Sequence, residues 1–194
     1  MAPRFPLEEA PDTAAQKVIE EALVKMHEGG PPFKWIEDDG RSLLGCYAPL
    51  GYTTAPWTQQ FFELAKLCYS PGGPKPRNRE LAIMGLCSVF YAPYAAYCHQ
   101  GVARKCGFSD EQYRDGLAGR VPSDLTAEES MAYHLGRTLS TQTTPLEDEL
   151  WNQITSVMEK REFVGIVHTI AGYRWVFLLE FANGEDKRWM KSSD

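Results

Sequence analysis

The stretch from Arg77 to Phe108, RNRELAIMGLCSVFYAPYAAYCHQGVARKCGF, leaves the chain little choice of local structure. Pro93 lacks a backbone N–H, which costs nothing at the first position of a helix. Gly107 can take the left-handed conformation that ends one. Between them Ala92, Ala95, Ala96, His99 and Ala103 recur at spacings of three and four, so they share one helical face. The segment therefore predicts two helices, one from about Arg79 to Phe90 and one from Pro93 to Cys106. Small side chains around His99 leave room on that face, for a ligand or for a closely packed neighbouring helix.

The flanks read in the same way. Asp12 or Thr13 is placed to cap a helix over Ala14 to Glu28, with Ala15, Val18, Ile19, Ala22, Leu23 and Met26 on one face. Gly29-Gly30 and Pro31-Pro32 end it. Residues 33–56 are irregular, with a short helix around Leu43 to Leu50, and a loop of this length points to function or to an oligomer arm. Trp57 to Tyr69 forms a stripe through Trp57, Phe61, Leu64, Ala65 and Cys68. Ser109 and Gln112 have the spacing of a capping box, and Ser123 or Thr126 caps a helix through Glu128 to Leu139. Two more helices follow, Pro145 to Met158 and about Glu162 to Asn183. The last is apolar nearly all round between Trp175 and Phe181, which predicts burial on several sides or a subunit interface. No alternating strand pattern appears, so the expected class is all-α. An extended arm over residues 1–12 precedes a single helical domain over 13–190.

Charge and cysteine content narrow the function classes. A net charge of −6 disfavours a nucleic-acid surface. No segment is read as a signal peptide or a membrane span, and the expected compartment is the cytoplasm. Cys46, Cys68, Cys87, Cys98 and Cys106 are odd in number and make no CxxC or zinc spacing, as for reduced thiols. Neither metal nor cofactor is expected.

Glu80 and His99 are the acid–base pair the sequence offers. Glu80 in the first turn of a helix also has a purely structural reason, the helix dipole. Lys75, Arg77 and Arg79 form a basic cluster in a turn, either solvated or able to attract a carboxylate. His27 reads as a surface residue and His134 as a structural one. His168 is a secondary candidate, on one helical face with Val164, Ala171, Gly172 and Trp175.

PRNRELAIMGLCSVFYAPYAAYCHQGVARKCGFSDEQ resembles the carboxymuconolactone decarboxylase and alkylhydroperoxidase D superfamily. The matching elements are Arg79-Glu80-Leu81, His99, and Gly107-Phe108-Ser109-Asp110-Glu111. GRSLLGCYAPL upstream and EFVGIVHTIAGYRWVFLLEFANGED downstream are weaker matches, so the resemblance spans roughly residues 40–190. It implies an all-α alkylhydroperoxidase D-like fold assembled as a trimer or hexamer, with Glu80 and His99 as acid–base residues at the family's spacing. The peroxidase branch carries cysteines where this chain has Ala92 and Ala95, so thiol peroxidase chemistry is not expected, since the thiolate is the nucleophile. The decarboxylase branch often carries Glu and Trp where this chain has Ala95 and Ala96.

These observations together predict a cofactor-independent acid–base enzyme, a decarboxylase or a related lyase, isomerase or cyclase. Its substrate would be a small aromatic, lactone or polyketide-like compound. Tyr94, Tyr97, Ala95, Arg79, Trp57 and His168 are the residues expected to meet that substrate, with the two phenols donating to an enolate-like oxygen. The competing expectation is a non-catalytic homo-oligomeric binding protein that keeps the fold. A redox protein using Cys98 and Cys106 ranks last.

Overall fold

The structure, a computed structural model, describes residues 3–27, 30–184 and 189. Its helices are α1 (Ala14–Met26), α2 (Tyr47–Leu50), α3 (Ala55–Tyr69), α4 (Pro76–Cys87) and α5 (Pro93–Lys105). They continue with α6 (Asp110–Leu117), α7 (Ala127–Leu139), α8 (Asp148–Val157) and α9 (Lys160–Asn183). Among the described residues there is no strand, only the isolated bridges Pro6 to Ser42 and Ile36 to Leu43. The chain is all-α, as its periodicity predicts.

Local chemistry sets the helix ends. Ser109 with Gln112, and Thr126 with Glu129, close reciprocal capping boxes on α6 and α7, so Thr126 rather than Ser123 starts α7. Gly107 ends the turn after α5 at φ +85°. Pro76 opens α4 and Pro93 opens α5, so α4 starts three residues before the expected Arg79 and stops at Cys87 rather than Phe90. Asp12 accepts from the Ala14 N–H at 2.7 Å, the bond that Thr13 does not make. α1 ends at Met26 with His27 as its cap, and the expected end at Glu28-Gly29 lies outside the described residues.

The chain divides into two compact units. One takes in the described residues of 1–66, 92–101 and 175–194, the other 67–91 and 102–174. Helices α3, α5 and α9 contribute residues to both.

The first unit is built on Ile19, Ala22 and Leu23 of α1, Leu43, Ala48 and Leu50 around α2, and Phe61 and Phe62 of α3. Trp175, Val176 and Leu179 of α9 pack on that core. The irregular stretch 33–56 is therefore an inner lining of this unit rather than a projecting arm. Leu44 donates to Trp35 O, Glu37 to Ser42 O, and the apolar residues between turn inward. The N-terminal residues are also tied down. Leu7–Glu9 forms a 3-10 turn, Leu7 N donates to Arg41 O, and Tyr52 donates its hydroxyl proton to Pro6 O.

In the second unit α4 crosses α7 at glycines. A methyl group on Gly136 would run into the carbonyl of Ala82, and one on Gly85 into that of Tyr133. The approach buries Leu81, Ala82, Ile83, Met84 and Leu86 against Ala132, Tyr133 and Leu135.

Helix α9 is enclosed on only part of its circumference. Phe177 is fully buried, but Leu178 is 58% and Phe181 40% exposed, so the apolar circumference is not enclosed within one chain. By length and composition alone α9 is also apolar enough to cross a membrane, with mean hydropathy 1.2 over its most apolar window.

Candidate functional site

Lys75, Arg77 and Asn78, around the start of α4, all point their polar groups into structural ties within the second unit. Lys75 pairs with Glu128, and its N–H donates to Glu162. Arg77 pairs with Glu129 and stacks on the Phe108 ring. Asn78, 1% exposed, donates to both Glu128 and Glu162. The basic turn is thus paired with acids of α7 and α9, while Lys75 stays largely exposed.

Arg79 and Glu80 are buried like Asn78, 5% and 1% exposed, and pair with each other. Arg79 Nε donates to Glu80 Oε1 at 2.9 Å, and its Nη1 to the carbonyl of Cys68 at 3.4 Å. The guanidinium lies 3.9 Å from the centre of the Tyr69 ring, in cation–π geometry. The Tyr69 hydroxyl in turn meets that of Tyr173 at 2.8 Å. A carboxylate, a guanidinium and two phenols therefore form one continuous polar cluster, with Arg79 and Glu80 buried and the two phenols half-buried. Burial pushes both phenols above their ordinary range, and the charge of Glu80 adds to the effect, so they stay protonated at neutral pH. Burial works against the charge of Arg79, but Glu80 and Tyr69 outweigh it and hold the group cationic. Cys106 faces Glu80, Arg79 and Arg77, and burial keeps its thiol protonated.

The remaining predicted residues belong to the first unit, or stand on the surface. His99 is buried on α5, as are Ala92, Ala95 and Tyr94 on its early turns. Tyr94 donates its hydroxyl to Lys34 O at 2.8 Å, and the Tyr97 hydroxyl accepts from Lys34 N at 3.1 Å. The proton of Tyr94 is thereby committed to the backbone, so the expected donation to a substrate oxygen is not available to it in this arrangement. Trp57, 64% exposed on α3, and His168, exposed on α9, lie on the surface. Glu80 belongs to one unit and His99 to the other. What the structure brings together is Arg79 with Glu80, and Tyr94 with Tyr97.

Sequence reasoning missed Tyr69 and Tyr173 as site residues, and it missed Glu180. Glu180 is 5% exposed and accepts from the N–H groups of Tyr94 and Ala95 at 2.9 and 3.1 Å, so it caps α5 from the end of α9. Burial raises its carboxyl to about 7 despite those two bonds. The signal was present, because a lone acid in an apolar helical run has to find donors when it is buried. All five cysteines are free, with Cys46, Cys68 and Cys98 buried. Among the described residues no group of three or more His, Cys, Asp or Glu side chains is arranged to hold a metal ion.

No family model, no curated protein and no solved structure matches the chain. The family resemblance therefore stands on the Arg79-Glu80-Leu81, His99 and Gly107–Glu111 motif alone.

Proposed function

We propose that this chain is a proton-transfer enzyme working without metal or organic cofactor on a small aromatic, lactone or polyketide-like compound. One observation carries the reading. Glu80, nearly sealed from water, is gripped by a guanidinium that leads directly to a pair of protonated phenols. An ionised carboxylate is a proton acceptor, and a neutral phenol a hydrogen-bond donor to an oxygen that gains charge. Arg79 holds the carboxylate in one orientation and supplies the countercharge. Glu80 would take a proton from a substrate O–H or acidic C–H while Tyr69 or Tyr173 stabilises the enolate-like oxygen. The proton then returns to carbon. For a β-keto acid the same set assists loss of carbon dioxide, in which the C–C bonding electrons pass into the enolate before carbon is protonated. The part of His99 as second acid–base group rests on the family spacing. The compartment proposed is the cytoplasm.

The test is solvent deuterium incorporation into a panel of enolisable β-keto acids and γ-lactones, followed by proton NMR. Glu80→Gln and His99→Ala are each expected to slow exchange about 10²–10⁴-fold. Folded Glu80→Gln protein exchanging as fast as the wild type would sink the reading.

A second reading, a non-catalytic homo-oligomeric binding protein, draws on the exposed Leu178 and Phe181. It gains if no member of the panel exchanges above the buffer rate.

A further inference from the structure

Near the C-terminal end of the chain one side chain is seated on a prepared aromatic surface. Trp189 stacks on Tyr97 with ring centres 4.3 Å apart and planes 28° from parallel. It meets Tyr94 edge-on at 5.4 Å. Behind these rings lie buried Leu44 and Cys98, with Phe33 and Tyr47 packed at the side. The two tyrosines are fixed before any occupant arrives. Both hydroxyls are tied to the same residue, Tyr94 to Lys34 O and Tyr97 to Lys34 N. Tyr47 braces Tyr94 edge-on at 6.2 Å. Gly45 lets the backbone lie directly against the Tyr94 ring, since a methyl group there would strike it, and this contact helps to fix the ring. With the Tyr94 proton on Lys34 O and the Tyr97 oxygen held by Lys34 N, what the surface chiefly offers an occupant is ring faces and edges.

We infer that Tyr94 and Tyr97 form a binding surface for a flat, uncharged aromatic molecule, and that the Trp189 ring fills it as a stand-in. The indole is only five positions beyond Gly184, the residue that follows α9. A free aromatic therefore binds in competition with the Trp189 ring, which sets the threshold. This inference does not depend on proton transfer at Glu80.

The experiment uses the full chain labelled with 5-fluorotryptophan, with Trp189→Phe to assign the resonance and indole as the probe. In the wild type, saturating indole is expected to move the Trp189 fluorine signal to the position of a solvent-exposed tryptophan. Full-length Trp189→Ala is expected to bind indole at least ten-fold more tightly than the wild type. In the Trp189→Ala background, Tyr97→Phe keeps the ring and retains binding, whereas Tyr97→Leu loses it. Equal indole affinity in the wild type and Trp189→Ala overturns the inference, as does a Trp189 signal that indole leaves unmoved. If Tyr97→Leu fails to fold, nuclear Overhauser contacts between indole and the Tyr97 ring in Trp189→Ala decide the point. Their presence supports the site and their absence rules it out.

Discussion

Arg79 is bound to its surroundings by shape as much as by charge. Its Nε reaches Glu80, its Nη1 reaches Cys68 O, and its plane covers Tyr69. A lysine keeps the charge but has neither the fork nor the flat face. Arg79→Lys is therefore expected to destabilise measurably, and Arg79→Met by about 3–5 kcal/mol, the usual cost of breaking a buried ion pair. Urea unfolding followed by circular dichroism reads both, and Arg79→Lys with the wild-type midpoint would count against the geometry. At this scale the sequence was only half legible. Glu80 stood out as an acid expected in a first helical turn, but α4 starts at Pro76 and places Glu80 beyond that turn. Tyr69 and Tyr173 did not, because their contact spans 104 positions and no local period encodes it. The basic turn misled for a related reason. Lys75 and Arg77 look available in the sequence, but Glu128, Glu129 and Glu162 close on this turn only after α7 and α9 are in place.

Elements were more legible than residues, since period and caps are local. The crossing of α4 and α7 was not read, because Gly85 and Gly136 look like ordinary helix weaknesses until two backbones meet at them. In an open helix Gly→Ala gains about 1 kcal/mol. Here the added methyl meets a main-chain carbonyl that cannot swing aside. Gly136→Ala is thus expected to lose about 1–3 kcal/mol, lowering Tm by roughly 2–4 °C per kcal/mol. A calorimetric Tm at or above the wild type would refute the close approach. The tie between the end of α9 and the start of α5 carries a pH signature. Glu180 has a native carboxyl near 7 against an ordinary 4.5, and Cys46 and Cys98 are the titratable groups that feel its charge. Between those values the native state holds a proton that the unfolded chain has released. Stability from this group is therefore greatest at low pH and declines as pH rises through the window, by roughly 3 kcal/mol at most. Glu180→Gln removes the titration while keeping one acceptor oxygen for the α5 amides. The difference in unfolding free energy between variant and wild type should grow in the variant's favour from pH 5 to pH 8, and a flat difference would dismiss the role.

At the scale of the whole molecule, the C-terminal part of α9 is the place where the single chain leaves an account open. The sequence called for an all-round apolar helix to be buried on several sides or to form a subunit interface. Phe177 and Glu180 are enclosed, but Leu178 and Phe181, three positions apart on one face, are not. An isolated exposed leucine needs no explanation, but a leucine and a phenylalanine adjacent on a helix form a contact surface. The family resemblance independently implies a trimer or hexamer, and both lines lead to the same expectation. Sedimentation equilibrium of the full chain should give a multiple of its 21.9 kDa. The double variant Leu178→Glu/Phe181→Glu places two charges on that face without touching Phe177 or Glu180, so it should keep the helical circular dichroism spectrum and sediment as a monomer. A wild-type chain that is already monomeric at high micromolar concentration would defeat the oligomer outright. A double variant that still assembles would move the contact away from this face of α9.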